Sequence, residues 1–290
     1  MSLQRNQSIE ELTRDFRRRV DSIKRADIRN LCRAAYLLGA ARIGELCGNL
    51  SESDTQNPKN REHHYKRRQI IYGPRGTDAS ETTYSIENFS MQQTLTILAS
   101  KRPDESLEDA FERFRKVRVA LFRIKIEKKH IERDEDVKSR VVALPLEDKY
   151  DPWVKEVYNW FKMRGEGYAF PLTRQLYWHH ITHTDPVFDG LYNPVEDYSF
   201  YFHDGQIKIK KTVSAHLNPF KFHGIRKLRV NFLYTRCNFS GLDFASHIGW
   251  SLRAARSADT QDRIPTMLGR YASIYENWER YFPKLLVKHL

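Results

Sequence analysis

Cysteine is scarce in this chain of 290 residues, and long hydrophobic runs and an excess of negative charge are absent. Its three cysteines, Cys32, Cys47 and Cys237, form no closely spaced pair, so we expect neither a disulfide framework nor a zinc site, and a reducing compartment is the default. No apolar run reaches the roughly 18 residues of a membrane-spanning helix. The N-terminus also lacks the apolar segment of a signal peptide, so we expect neither secretion nor a membrane partner.

Positive charge dominates what is present. The chain has 49 lysines and arginines against 37 aspartates and glutamates, which gives a net charge of +12. Such an excess favours a polyanionic partner through phosphate contacts and counterion release. A soluble basic protein that binds no nucleic acid is the alternative. The length allows one large domain or two small ones, and the hydrophobic content of 40% is enough for a core.

Hydrophobic periodicity predicts a mainly helical α+β chain with one or two small antiparallel sheets. Helical spacing covers residues 9–47, and the second helix of this stretch extends from Asp27 to Cys47. Val117–Ile126 is rich in β-branched and aromatic residues and predicts a strand, with Val141–Leu146 as its hairpin partner. The other predicted elements are helices at Leu107–Val117, Trp153–Met163, after the N-cap Thr173, His223–Arg236, Leu242–Ile248 and Pro265–Trp278, and a strand pair at Tyr198–Phe202 and Gln206–Lys210.

An arginine follows the apolar stripe of the second predicted helix. The stripe comprises Ile28, Leu31, Ala35 and Leu38, and the next position on that face is Arg42. A charge on the core side of a helix is unfavourable unless it is paired. Glu45 follows three residues later on the same face and is a suitable partner. The two residues indicate either a structural ion pair or a functional arginine held by a carboxylate.

Three further groups of residues have side chains that could take part in binding or catalysis. His223 and Arg226 stand at positions i and i+3 of a predicted helix, so they share a face and offer a titratable donor beside a bidentate phosphate clamp. A surface histidine beside a surface arginine is the alternative. Trp250 carries an indole N–H that needs an acceptor if it is buried. Tyr271 ends the segment Met267-Leu-Gly-Arg-Tyr271; tyrosines in such a segment usually serve packing.

The order of these groups resembles that of the tyrosine recombinases: Arg-x-x-Glu, a basic β-hairpin, His-x-x-Arg, Gly-Trp and finally Tyr. The local contexts are also similar, over about residues 25 to 285. Leu38-Gly-Ala-Ala-Arg42-Ile-Gly-Glu45-Leu46 resembles the first arginine motif TGxRxxEL, and His223-Gly-Ile-Arg226 resembles the HxLRh box. Ile248-Gly-Trp250-Ser251 is similar to the LGHS box in its tryptophan variant, and Met267 to Tyr271 to the nucleophile segment of archaeal-type integrases.

The resemblance implies the tyrosine recombinase catalytic-domain fold and an integrase that cleaves and rejoins double-stranded DNA. The implied intermediate is a 3′-phosphotyrosyl link, and neither metal, ATP nor another cofactor is needed. The implied roles are Tyr271 as nucleophile with Tyr275 as the alternative, Arg42 and Arg226 on the non-bridging phosphate oxygens, His223 and Trp250 as hydrogen-bond donors, and Glu45 as the support of Arg42.

The lysine that protonates the leaving oxygen is implied to lie near the end of the first hairpin strand. Lys128 is our assignment, Lys125 is also possible, and Lys129 is expected to contact DNA. The basic run Lys66-Arg67-Arg68 either contacts phosphates or forms a solvated face.

The resemblance to the tyrosine recombinases also implies a division of the chain into domains. Residues 1–25 are expected to be an N-terminal helical extension and residues 26–290 the catalytic domain, with insertions at about 51–116, 184–215 and 252–265. Tyrosine recombinases usually carry a helical core-binding domain ahead of the catalytic domain, so we expect the clamp around DNA to be absent or supplied by an accessory DNA-binding factor. We also expect a homo-oligomer, a tetramer on DNA, associated with the nucleoid of a prokaryotic or viral system.

Three other functions remain open on the sequence. A catalytically inactive DNA-binding derivative of the fold would act as a regulator, and a type IB topoisomerase-like enzyme would relax DNA with the same chemistry. A basic RNA-binding protein would leave the order of the motifs unexplained. The C-terminal stretch Trp278–Leu290 is compatible with an amphipathic helix, either exchanged between protomers or packed on its own domain.

Overall fold

The computed structural model describes residues 8–39, 43–48, 77–85, 87–101, 103–125, 139–164, 169–184, 186–191, 198–211, 220–249 and 278–286. Over these residues the fold is mixed α+β, as the periodicity predicts. None of the helices in these ranges is long and apolar enough to cross a membrane.

The helices are α1 (Ile9–Ser22), α2 (Ala26–Leu37), α3 (Ile43–Leu46), α4 (Met91–Ser100), α5 (Leu107–Arg115), α6 (Val154–Arg164), α7 (Arg174–His179), α8 (Phe222–Thr235) and α9 (Gly241–Ile248). A π-helical turn, His180–Thr184, continues α7, and a 3-10 helix forms at Phe282–Leu285. The strands are β1 (Cys47–Gly48), β2 (Thr77–Ser85), β3 (Lys116–Lys125), β4 (Ser139–Pro145), β5 (Phe170–Thr173), β6 (Tyr198–His203) and β7 (Gln206–Lys211).

The largest sheet has three antiparallel strands in the order β2-β3-β4. Ile124 on the central strand pairs with Thr77 on one side and Arg140 on the other. The predicted hairpin of β3 and β4 is therefore confirmed, and so is the predicted pair β6–β7. Strand β2 and the short parallel pair β1–β5 were not predicted. Parallel pairing joins segments far apart in the sequence, which local periodicity does not report.

The helical part of the core forms where α1, α2 and α8 pack together. The Phe16 ring of α1 lies 5.9 Å from the Tyr36 ring of α2 and 6.4 Å from Trp153, both centroid to centroid. Helix α1 begins with a capping box, in which Ser8 and Glu11 each bond the other's backbone N–H. Thr173 caps α7 as predicted, because its side chain accepts from the Leu176 N–H at 3.4 Å. These short-range signals were readable in the sequence.

The predicted helix from Asp27 to Cys47 is wrong in its second half. Helix α2 ends at Leu37, and the backbone turns at Gly39, whose φ is +68°. Glu45 therefore belongs to a separate helix, α3, and Cys47 begins β1. The apolar stripe of α2 is buried as predicted, but nearly the whole circumference of its C-terminal half is buried as well. The helix ends at the left-handed Gly39, a common signal at helix C-termini, although the periodicity alone would continue it.

The C-terminal segment, residues 278–286, packs on its own chain. The Tyr281 hydroxyl accepts from the Ala143 N–H at 2.9 Å and donates to the Val141 carbonyl at 3.4 Å. Among the described strands β4 is the last of its sheet, and this side chain bonds backbone groups on its outer side. Over the described residues the segment forms a turn and a 3-10 helix, so the amphipathic α-helix does not form there.

A buried ion pair fixes α8 against the loop before α6. Arg229 donates to both carboxylate oxygens of Asp151, at 3.0 and 2.5 Å, and both side chains are buried. Burial opposes the charge of Arg229, but the Asp151 carboxylate outweighs it, so the pKa of the guanidinium lies above its usual value. The Tyr36 ring lies 5.3 Å from the guanidinium carbon.

We expect Asp151→Asn to lower the free energy of unfolding by about 3–5 kcal/mol, because it leaves the Arg229 charge buried without a counter-charge. Urea titration of the purified chain measures this loss. Asp15→Asn is the matched control, since it breaks a pair with the exposed Arg18 and is expected to cost at most about 1 kcal/mol. Equal losses in the two variants would contradict the account of the buried pair.

Candidate functional site

A buried arginine of the sheet joins three segments of the chain. Arg140 stands near the start of β4 with only 1% of its surface exposed. Its guanidinium donates to the carbonyl of His247 through Nη1 and to that of Leu38 through Nη2, the latter at 3.3 Å. The carboxylate of Glu45 lies 3.7 Å from Nη2. We call this cluster of Arg140, Glu45 and the two carbonyls the Arg140 junction.

The two carbonyls lie at the C-terminal ends of helices. Leu38 is the C-cap of α2, and His247 belongs to the last turn of α9. The last carbonyls of a helix have no partner within the helix and carry the negative end of its dipole. A single guanidinium therefore caps two helix ends, and its positive charge is stabilised by both. Glu45, with 7% of its surface exposed, adds a carboxylate that balances this buried charge.

Two glycines allow the helix ends to approach the junction. Gly39 follows α2 with φ of +68°, and Gly249 follows α9 with φ of +74°. A Cβ atom on Gly39 would lie 3.0 Å from Cγ1 of Ile248, and one on Gly249 would lie 2.9 Å from Cδ of Arg140. Both positions combine a left-handed backbone with a lack of space for any side chain. The junction is therefore tightly packed on both helix ends.

The side chain of His247 packs on the apolar side of this junction. Its ring lies 5.1 Å from that of Tyr281 and 5.6 Å from that of Phe239. Burial, followed by the positive charges of Arg229 and Arg140, holds the pKa of His247 well below its usual value. The imidazole is therefore neutral at neutral pH and adds no charge beside Arg140.

The predicted histidine and arginine box lies at the start of α8. His223 and Arg226 stand in the first turns of this helix, three residues apart, so they share a face. His223 is exposed and Arg226 is half-buried. Helix α8 packs against α2, the helix that ends at the Arg140 junction. Donors on this face are thus accessible to a ligand, whereas Arg229, one turn later, is held in the core by Asp151.

Of the predicted site residues, the structure describes Glu45, His223 and Arg226. Arg42, Lys66, Arg67, Arg68, Lys128, Lys129, Trp250, Tyr271 and the alternative Tyr275 lie outside the described residues. In the sequence, Arg42 comes three positions after Gly39 and Trp250 directly after Gly249. Two segments that lead to predicted site residues thus meet at the Arg140 junction. The predicted support of Arg42 by Glu45 stays a prediction.

Sequence reasoning missed Arg140 itself. The signal was present, because Arg140 directly precedes the apolar run Val-Val-Ala-Leu of a predicted strand. An arginine that begins a buried strand needs acceptors for its five N–H groups, as does one on the core face of a helix. Which acceptors it finds depends on segments more than 90 residues away, and the sequence does not give them.

Comparisons with protein family models, with curated proteins and with solved structures found no match to this chain. Within the described ranges no group of three or more histidine, cysteine, aspartate or glutamate side chains is placed to hold a metal ion.

We expect Gly249→Ala to destabilise the chain more than Gly205→Ala. Both glycines have a left-handed φ, +74° and +73°, so each alanine incurs about 1–2 kcal/mol of backbone strain. A Cβ atom at Gly205 meets nothing within 4 Å, whereas one at Gly249 meets Arg140. The additional loss at Gly249, about 1–3 kcal/mol for overpacking, is measured by urea unfolding of the two variants. Equal losses would show that the junction has room for a methyl group.

Proposed function

We propose that this chain is a tyrosine recombinase that cleaves and rejoins DNA through a phosphotyrosyl intermediate. One observation carries the proposal: the segments that lead to Arg42 and Trp250, distant in the sequence, converge on the Arg140 junction beside Glu45. Arg42, Glu45 and Trp250 belong to motifs whose order along the chain resembles that of the recombinases. If both segments contribute to a single phosphate-binding centre, we expect them to lie close together in the fold.

The sheet also supports this function. In the proposed catalytic domain, β3 and β4 form the basic hairpin, and the segment 126–138 between them contains Lys128 and Lys129. Lys125, the alternative general acid, ends β3. Strand β4 carries Arg140 immediately after this segment, so the hairpin and the junction share one strand. The described residues form a mixed α+β fold, and we propose that it is the catalytic-domain fold of the tyrosine recombinases.

The proposed reaction is a transesterification at phosphorus. As the Tyr271 hydroxyl oxygen attacks the scissile phosphate, its proton passes to water; the bond to the 5′ oxygen breaks, and Lys128 gives that oxygen a proton. The products are a 3′-phosphotyrosyl link and a free 5′-hydroxyl, which reverses the reaction when it attacks the link. Arg42 and Arg226 bind the non-bridging oxygens, where charge accumulates in the transition state, and His223 and Trp250 donate hydrogen bonds to them. The covalent link retains the energy of the phosphodiester, so no ATP is required.

The exposure of His223 supports its role as a donor to DNA, as does the half-buried position of Arg226 on the same helix face. Tyr281, in contrast, is unsuited to act as the nucleophile. Burial raises the pKa of its hydroxyl, which is also bonded to the backbone of β4. The remaining tyrosines of this region are Tyr271 and Tyr275. We further propose that the enzyme acts as a tetramer on DNA in the nucleoid.

We expect the chain to form a covalent adduct with DNA that Tyr271→Phe abolishes and Tyr275→Phe does not. A pool of nicked suicide duplexes with randomised sequence around the nick traps the adduct, which is detected by denaturing electrophoresis. Tyr281→Phe is the matched control and should still form it, because that hydroxyl is buried.

An adduct that persists in Tyr271→Phe and disappears in Tyr275→Phe would show that Tyr275 is the nucleophile. If the wild-type chain binds DNA but forms no adduct, the inactive DNA-binding derivative is correct and the proposed enzyme is not. Relaxation of supercoiled DNA without strand exchange would favour the topoisomerase-like enzyme.

We expect the affinity for duplex DNA to fall steeply with salt, with log K declining by about 0.9 per phosphate contact for each unit of log salt concentration. Fluorescence anisotropy of a labelled duplex measures this slope. Arg67→Ala should reduce the slope by about one contact if the basic run binds phosphates. It should leave the slope unchanged, like the exposed control Arg18→Ala, if the run is only solvated. A flat response of the wild-type chain would exclude DNA binding through phosphates.

A further inference from the structure

We propose that His179 and His183 form a binding site for a divalent transition-metal ion, Zn²⁺, Ni²⁺ or Cu²⁺, with water completing its coordination. His179 ends α7, and His183 lies in the π-helical turn that continues this helix. Single π-helical turns are rare and occur frequently at functional sites. Both histidines are exposed, so an ion reaches them from solvent. Neither residue takes part in the proposed reaction, so the inference does not depend on the proposed function.

The two imidazole rings lie side by side. Their centroids are 4.8 Å apart and their planes are inclined at 15°, so the rings of His179 and His183 are stacked and nearly parallel. Residues four positions apart on a helix share a face, and two histidines at this spacing can chelate one ion. Imidazole nitrogen suits Zn²⁺, Ni²⁺ and Cu²⁺, whereas Mg²⁺ and Ca²⁺ prefer oxygen. The pair is therefore expected to select a transition metal.

The Thr182 hydroxyl determines which nitrogen of His183 can bind the ion. This hydroxyl donates to the Trp178 carbonyl at 2.8 Å, and its oxygen lies 2.6 Å from Nδ1 of His183. A hydroxyl has one proton, and here the carbonyl accepts it, so Nδ1 carries the hydrogen of the second contact and Thr182 accepts. The lone pair of neutral His183 is then on Nε2. An oxygen that accepts from the other ring nitrogen is the usual support of a metal-binding histidine.

The neighbouring His180 is engaged in another contact. Its Nε2 lies 2.8 Å from Nη1 of Arg25, and a guanidinium can only donate, so this nitrogen accepts and its lone pair is occupied. Asp27 balances the charge of Arg25, at 2.9 and 2.8 Å. Over the part of the chain that the structure describes, no third histidine, cysteine, aspartate or glutamate completes a group of ligands. Closed structural zinc sites have four protein ligands, so this two-histidine site is open to water.

Chemical modification of the full chain tests the site one histidine at a time. Diethyl pyrocarbonate acylates accessible imidazole nitrogens, and tandem mass spectrometry of the peptides reports each histidine separately. We expect saturating Zn²⁺ to protect His179 and His183 together, because the ion occupies the lone pairs that react. The exposed His203 should react as before, and Mg²⁺ at the same concentration should protect neither histidine of the pair.

Thr182→Val tests the support of His183 while both histidines remain. Valine is similar in shape but has no acceptor for Nδ1–H, so the Zn²⁺ concentration for half-protection should rise by about 10–100-fold. Thr235→Val is the matched control, because the Thr235 hydroxyl also donates to the carbonyl four residues earlier, at 2.8 Å from the Asn231 oxygen. This control should leave the half-protection concentration unchanged.

His179→Ala tests whether the two histidines act as one site. Protection of His183 by Zn²⁺ should be lost in this variant, because a single imidazole is not a chelate. Circular dichroism checks that the helical content is retained. If Thr182→Val loses helical content, His179→Ala alone decides the outcome.

Protection of His183 that persists in His179→Ala would overturn the proposal, and so would equal protection by Mg²⁺. Absence of protection in the wild-type chain at saturating Zn²⁺ would also overturn it. An unchanged half-protection concentration in a folded Thr182→Val chain would contradict the assignment of Nε2 of His183 as the ligand atom. Failure to form a DNA adduct contradicts the proposed function and leaves the result of this modification experiment unaffected.

Discussion

One buried guanidinium connects the sheet to the helices that lead into the candidate site. Arg140 caps the ends of α2 and α9, and both helices stop at glycines without room for a side chain, Gly39 against Ile248 and His247 and Gly249 against Arg140. Removing an arginine from water is unfavourable, and here the loss is offset by two carbonyls and by the Glu45 carboxylate. The position of α3, the end of α2 and the end of α9 all depend on this interaction. The tight packing makes the arrangement specific, because neither helix end is free to shift alone.

The buried arginines and the predicted catalytic Arg226 have different surroundings. Arg140 and Arg229 lie in the core with carboxylate or carbonyl partners, where they organise the backbone. Arg226, one turn before Arg229 on α8, is partly accessible beside the exposed His223. The same helix thus anchors itself through one arginine and presents another to solvent. In the proposed function, Arg226 would be a donor to a phosphate, while Arg229 holds the helix that carries it.

Local signals in the sequence predicted much of the secondary structure, but they did not predict the end of α2 or the Arg140 junction. The β3–β4 hairpin, the β6–β7 pair and the Thr173 cap were predicted because β-branched runs and capping side chains act within a few residues. The end of α2 was missed because the apolar periodicity continues past Gly39, although a glycine with a left-handed backbone commonly ends a helix. Arg140 was missed because its acceptors lie in other elements. The motif order pointed to Glu45, His223 and Arg226 but said nothing of what holds their segments together.

The central claim is that segments held by Arg140 and α8 bind one phosphate of DNA. A crystal structure of the Tyr271→Phe chain on a duplex selected in the adduct assay tests it most directly. We expect the guanidinium groups of Arg42 and Arg226 to hydrogen-bond to the same phosphate, at about 2.7–2.9 Å, with Arg140 still bridging the two helix ends beneath them. A complex in which Arg42 and Arg226 contact different phosphates, or in which DNA binds another face of the chain, would contradict it.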